Sequence, residues 1–153
     1  MKGPLENGTL KSVPECGEKE TALMPALYTA QKEHGWMSIE AMEAVAGALD
    51  IPKARVKGFA TFYDMFGKKP VGRHVVRLCT NVSCILSGSE ELLLRLRDKF
   101  GIAPDETTPD GRFSLVAMEC IGACGTAPAM LVDNDFYEDL TTENIFSILE
   151  KYK

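Results

Sequence analysis

Apolar residues recur with helical spacing from about residue 20 to residue 66, in three successive segments. The segments are separated at His34-Gly35 and at Asp50-Ile51-Pro52, and a proline is well tolerated in the first turn of the helix that follows. Ser38 precedes the second segment and has the side chain of an N-cap residue. We therefore predict a helical domain over residues 20–66.

An aromatic stripe closes this helical region. Phe59, Phe62, Tyr63 and Phe66 recur at i, i+3, i+4 and i+7, which places them on one face of a helix. Such a face is usually buried core, and part of it could instead be an exposed docking face for a partner.

The pattern changes after residue 66. Residues 67–73 contain two glycines and a proline and predict a linker. His74–Leu78 is rich in β-branched residues and leads into Cys79, and Phe113–Glu119 reads as a second strand that ends at Cys120. Ala129–Val132 and Phe136-Tyr137 then predict a short hairpin.

Two further helices are predicted in this second region. Ser87-Gly88-Ser89-Glu90 has the form of a capping box, and Gly101 supplies a stop signal. Thr141 can cap a last helix whose apolar face is formed by Ile145, Ile148, Leu149 and Tyr152. The expected class is α+β, with an N-terminal helical bundle followed by a small α/β domain whose sheet is covered by helices. We divide the chain into a tail (residues 1–19), the helical domain (20–66), the linker (67–73) and a second domain (74–153).

Composition narrows the classes of partner. The apolar fraction of 45% is enough for an ordinary core, and the net charge of −5 provides no basic face for nucleic acid or anionic lipid. The N-terminal residues lack the apolar stretch of a signal peptide, and no segment has the roughly 20 apolar residues of a membrane span. We expect a soluble cytoplasmic protein with a protein partner.

The spacing of the cysteines is the main evidence for a functional site. Four of the five cysteines form two pairs, Cys79-x4-Cys84 and Cys120-x3-Cys124, and Cys16 stands alone and is expected to be an incidental thiol. Cytosolic thiols remain reduced, so the pairs indicate a metal site before disulfides. Zinc knuckles usually have two-residue gaps, whereas a binuclear cluster divides its ligands between two irons. The gaps of four and three residues in this chain are wider and favour an iron–sulfur cluster. Zinc, and then disulfides or free thiols, are the alternatives.

Other catalytic groups are sparse. His34 and His74 lie in different predicted domains and are expected to be surface or turn residues. No Gly-x-Gly-x-x-Gly follows a predicted strand, so a nicotinamide or flavin cofactor would have to be held by another chain.

Two longer segments add to the cysteine pairs: Cys120-Ile121-Gly122-Ala123-Cys124-Gly125-x-Ala127-Pro128 and Ala60-Thr61-Phe62-Tyr63-x-x-Phe66. Together, these motifs resemble those of the small thioredoxin-like [2Fe–2S] subunit of NADH:quinone oxidoreductase, respiratory complex I. The resemblance covers about residues 20–153. It implies a thioredoxin-like second domain and one [2Fe–2S] cluster held by Cys79, Cys84, Cys120 and Cys124. It also implies a cis Ala127-Pro128 bond.

The same resemblance implies a function. The chain would be a non-catalytic one-electron carrier, paired with a flavoprotein subunit that holds FMN and NADH, and peripheral to the inner face of the membrane through partner subunits. Related subunits of NAD-linked hydrogenases and formate dehydrogenases share these motifs and remain alternatives. A zinc-stapled interaction module without redox activity is the alternative from a different class.

Overall fold

The computed structural model describes residues 19–153. Cys16 and all of the predicted tail except Lys19 lie outside the described residues. The chain divides into two compact units, one ending at Pro70 and the other running from Val71 to Lys153.

The first unit contains three helices in its described part: α1 (Leu23–His34), α2 (Ile39–Leu49) and α3 (Lys53–Phe62). The Ser38 hydroxyl accepts a hydrogen bond from the Ala41 backbone N–H at 3.1 Å, so its predicted role as N-cap is confirmed. Asp50 ends α2 in a left-handed conformation, and Pro52 precedes α3. The predicted breaks between the three helices are therefore confirmed.

The prediction that the aromatic stripe lies on one helical face is wrong. Helix α3 ends at Phe62, because Tyr63 adopts an extended conformation. The chain then turns, which buries Phe66 completely against Tyr28, with the two ring centroids 5.3 Å apart. Phe62 is left 77% exposed. Only part of the stripe is core, and the turn rather than helical periodicity selects that part.

The second unit contains both strands and helices. Its strands are β1 (His74–Cys79), β2 (Glu106–Thr107), β3 (Phe113–Met118), β4 (Met130–Val132) and β5 (Asp135–Tyr137). Its helices are α4 (Val82–Leu86), α5 (Ser89–Phe100) and α6 (Asn144–Leu149), with a 3-10 turn at Cys124–Thr126.

The sheet has the order β2-β3-β1-β4-β5. Strands β1 and β3 are parallel, with His74 opposite Phe113 and Cys79 opposite Met118, and all other pairs are antiparallel. Parallel neighbours need a crossover connection, and α5 lies in that connection. The predicted hairpin is formed by β4 and β5, with Val132 opposite Asp135.

A single apolar core underlies this sheet. Its fully buried members come from strands and helices alike: Val76, Leu78, Leu96, Leu115, Met130, Val132 and Ile145. The mixed sheet with packed helices confirms the α+β class.

Some local details in this unit differ from the prediction made from the sequence. Helix α4, which begins at Val82 between the first two cysteines, was not among the predicted helices. Ser87 does not cap α5, because its backbone N–H bonds to the Ser83 carbonyl at 3.1 Å and closes α4 instead. Gly88, with φ of +96°, occupies the N-cap position of α5, a conformation that glycine adopts readily.

Phe66 and Phe62 of the aromatic stripe should differ in their contribution to stability. Phe66→Ala is expected to lower the free energy of unfolding by about 3–5 kcal/mol, because it opens a cavity in the core. Phe62→Ala, the matched control, should change it by less than about 0.5 kcal/mol, since that ring is largely in water. Urea unfolding followed by circular dichroism measures both, and equal losses would contradict the difference in burial.

Candidate metal centre

The two cysteine pairs follow neighbouring strands. Cys79 is the last residue of β1, and Cys120 comes two residues after the end of β3. Because β1 and β3 are parallel, their carboxyl ends meet at the same edge of the sheet. The backbone thus brings the two cysteine loops to one place.

The first pair is buried and the second is exposed. Cys84 lies in α4, and Cys124 begins the 3-10 turn. The Cys79 sulfur lies 3.9 Å from the carbonyl oxygen of Glu119, so β1 reaches the base of the second loop. The site has an inner side fixed in the core and an outer side open at the surface.

The pKa of the Cys79 thiol is set by burial and by hydrogen bonds. Burial would raise this pKa, but hydrogen bonds from the Asn81 backbone N–H, the Cys84 thiol and the Ile121 backbone N–H outweigh that effect. The Cys120 thiol also contributes, and the net result is a pKa below the ordinary value for cysteine. A lowered pKa favours the thiolate, which is the form that binds metals.

Cys84 behaves in the opposite way. Burial, and then the hydrogen bond that it donates to Cys79, raise the pKa of the Cys84 thiol, although the Ala129 backbone N–H acts against them. The nearby Cys124 raises it further through charge repulsion. The influence of Cys124 on Cys84, and that of Cys120 on Cys79, indicate that thiols of the two loops lie close enough to interact.

The backbone N–H groups of Asn81 and Ile121 therefore act to lower the pKa of the Cys79 thiol, and that of Ala129 acts to lower the pKa of the Cys84 thiol. N–H donors to cysteine sulfur are the surroundings in which proteins hold iron–sulfur clusters, and soft thiolates are the ligands such clusters require. The donor set fits a [2Fe–2S] group. Within residues 19–153, no three or more His, Cys, Asp or Glu side chains are grouped as ligands of a single metal ion.

Helix α4 was not predicted from the sequence. A usable signal for α4 was present, since Asn81 stands at its N-cap position and Val82, Ile85 and Leu86 recur at i, i+3 and i+4. All three of these apolar side chains are exposed, with Leu86 83% exposed. They form an apolar patch on the helix that carries Cys84, which we call the α4 patch.

The two predicted non-ligand histidines do not join the site. His74 begins β1, at the opposite end of the strand from Cys79, and its Nδ1 lies 2.7 Å from the Asp133 carboxylate. His34 ends α1 in the helical unit. The Ala127-Pro128 bond that follows the second cysteine loop is cis, as predicted.

Comparisons with known proteins identify the family. The model of the thioredoxin-like [2Fe–2S] ferredoxins matches residues 8–153, and the chain belongs to that family. Membership confirms the thioredoxin-like fold and implies one [2Fe–2S] cluster.

The chain is also similar to individual proteins. The chain is 40% identical over 150 residues to an NADH-quinone oxidoreductase subunit of Rickettsia bellii (strain RML369-C), covering 97% of this chain and 89% of the relative. It is 44% identical over 136 residues to the corresponding NADH-quinone oxidoreductase subunit of Rhizobium meliloti (strain 1021), covering 89% and 81%.

A solved structure is also similar. A chain of the NAD+-reducing [NiFe]-hydrogenase, in the air-oxidised state, superposes with a TM-score of 0.72 at 25% identity over 85% of this chain. The present chain spans only 22% of that hydrogenase chain.

The glycines of the second loop should differ in their tolerance of a side chain. Gly122 has φ of +88°, whereas Gly125 does not have a positive φ, and a Cβ at either meets no atom within 4 Å. Gly122→Ala is expected to cost about 1–2 kcal/mol of stability, because alanine is strained in the left-handed region. Gly125→Ala is the matched control and should cost clearly less. Urea unfolding of both variants tests this, and an equal cost would refute the backbone explanation.

Proposed function

We propose that this chain is the one-electron carrier subunit of the NADH-oxidising module of an NADH:quinone oxidoreductase. It holds one [2Fe–2S] cluster through Cys79, Cys84, Cys120 and Cys124, near the flavin of a partner subunit. The observation that carries the proposal is the meeting of both cysteine loops at one edge of the β1–β3 pair. The two bacterial relatives are both named as subunits of NADH-quinone oxidoreductases, which supports the assignment of this chain to such a complex.

The chain's own residues do three things in this role. The four thiolates hold the two irons, the N–H groups of Asn81, Ile121 and Ala129 stabilise negative charge on sulfur, and the buried side of the site excludes water. The bound group supplies the ability to take up and release one electron at a time. We expect no hydride chemistry on this chain, so FMN and NADH belong to the partner.

One observation supports a different parent complex, an NAD-linked hydrogenase. The similarity to the NAD+-reducing hydrogenase favours an equivalent diaphorase subunit as the alternative assignment. The zinc-stapled interaction module is not favoured, because the family is one of [2Fe–2S] ferredoxins.

The surface around the site supports a docking position for the flavoprotein. Electron transfer needs the two redox groups close together, so the partner must approach the open side of the site, where Cys120 and Cys124 are exposed. The α4 patch is on the helix that carries Cys84, and apolar patches beside a functional site are typical of protein interfaces. We assign the α4 patch to this interface.

No helix among residues 19–153 has the length and apolar character needed to cross a bilayer. The proposed location, at the inner face of the membrane, therefore depends on partner subunits.

The ligand set can be tested with one cysteine inside it and one outside. Cys124→Ser is expected to lower the iron bound per chain by about half or more, because a serine oxygen is a poorer ligand for iron than a thiolate. Cys16→Ser, the control, should leave iron content and the visible spectrum unchanged. Iron and acid-labile sulfide analysis with visible absorption measures both. Bleaching by Cys16→Ser would show that the ligand set is wrong.

The partner can be tested at the α4 patch. Leu86→Glu is expected to weaken association with the flavoprotein subunit about tenfold or more, because it places a charge in a desolvated contact. The matched control is Leu94→Glu on α5, where the leucine is 48% exposed and outside the patch. Co-purification of the tagged chain followed by FMN quantitation gives the result. Equal retention of FMN by Leu86→Glu and the wild-type chain would remove this surface from the interface.

A further inference from the structure

The second cysteine loop, residues 120–128, has little side-chain packing of its own. Four of the seven residues from Ile121 to Ala127 are glycine or alanine. Its two cysteines are exposed, unlike Cys79 and Cys84. Small residues let the backbone approach sulfur, but they leave the position of the loop to be set by other contacts.

Those contacts come from residues 138–140, which follow β5 and which we call the strap. The Thr126 hydroxyl donates to the Glu138 carboxylate at 2.6 Å. The Asp139 backbone N–H donates to the Thr126 carbonyl at 2.9 Å, and the Leu140 N–H donates to the Pro128 carbonyl at 3.1 Å. Three hydrogen bonds therefore join the strap to the end of the loop.

The strap is itself anchored. Leu140 is buried in the core of the second unit, and the Asn144 side-chain amide donates to the Asp139 carbonyl at 3.1 Å. The strap can therefore hold the loop without moving with it.

The hydrogen bonds that hold Thr126 also restrain the position of Cys124. Cys124 and Thr126 belong to the same 3-10 turn, in which the Thr126 N–H bonds to the Ala123 carbonyl at 3.1 Å. Fixing Thr126 fixes the backbone that carries Cys124. The two backbone hydrogen bonds of the strap do not depend on which side chains are present. Of the three hydrogen bonds, the Thr126–Glu138 bond is the one that requires particular side chains.

We propose that Glu138 is a positioning residue of the metal centre, which orients Cys124 by accepting the hydrogen bond of Thr126. The inference rests on the ligand set proposed above. Its requirement is an acceptor oxygen at position 138, and an amide oxygen meets that requirement as well as a carboxylate.

The test uses the full-length chain with its cluster, in four variants. Glu138→Ala and Thr126→Val each remove the hydrogen bond, and Glu138→Gln keeps an acceptor while removing the charge. Glu143→Ala is the control. Glu143 accepts a hydrogen bond from Thr142 at 2.9 Å in the same kind of exposed pair, and within residues 19–153 its hydrogen bonds are to Thr141 and Thr142 rather than to the second cysteine loop.

The measurements are the rate of iron loss to a chelator and the visible circular dichroism of the cluster, which reports the geometry around the irons. Glu138→Ala and Thr126→Val are expected to speed iron loss about fivefold, the factor of one ordinary hydrogen bond, and to change the dichroism in the same way. Glu138→Gln and Glu143→Ala should match the wild-type chain.

Two results would overturn the proposal. One is an unchanged rate and spectrum in both Glu138→Ala and Thr126→Val. The other is Glu138→Gln behaving as Glu138→Ala, which would assign the effect to charge. Either can occur while Cys124→Ser still loses iron, so a failure of the strap is distinguishable from a failure of the ligand set.

Discussion

The parallel pairing of β1 with β3 is the constraint on which the metal centre depends. It places Cys79 opposite Met118 and brings the loop that starts at Cys120 to the same edge of the sheet. Alternate residues of a strand face opposite sides of the sheet, so a one-residue slip would turn every side chain to the wrong face. The buried Leu78 and Leu115 oppose such a slip, because each would have to leave the core.

The division between buried and exposed cysteines suits an electron carrier that works with another chain. Cys79 and Cys84 are held in the interior, where backbone N–H groups reach their sulfurs, while Cys120 and Cys124 lie at the surface. Rigid surroundings limit rearrangement when charge changes, and an open side allows a donor to approach. In the proposed role the chain provides ligands, donors and a docking surface, and the partner provides the hydride chemistry.

Local patterns predicted much of this molecule. The strand before Cys79, the hairpin, the Ser38 cap and the breaks between the helices follow from residue type and spacing. The errors lie at the ends of helices. Phe66 is buried because the chain turns after Tyr63, and Ser87 is used to end α4 rather than to begin α5. The strand register joins segments that are far apart in the chain, so spacing alone could not predict it.

The central claim is that this chain carries single electrons on a [2Fe–2S] cluster, and electron paramagnetic resonance of the purified protein tests it most directly. After anaerobic reduction, we expect a rhombic signal from one unpaired electron per cluster, with about two irons and two sulfides per chain. A colourless protein that gives no such signal and contains one zinc per chain would contradict it.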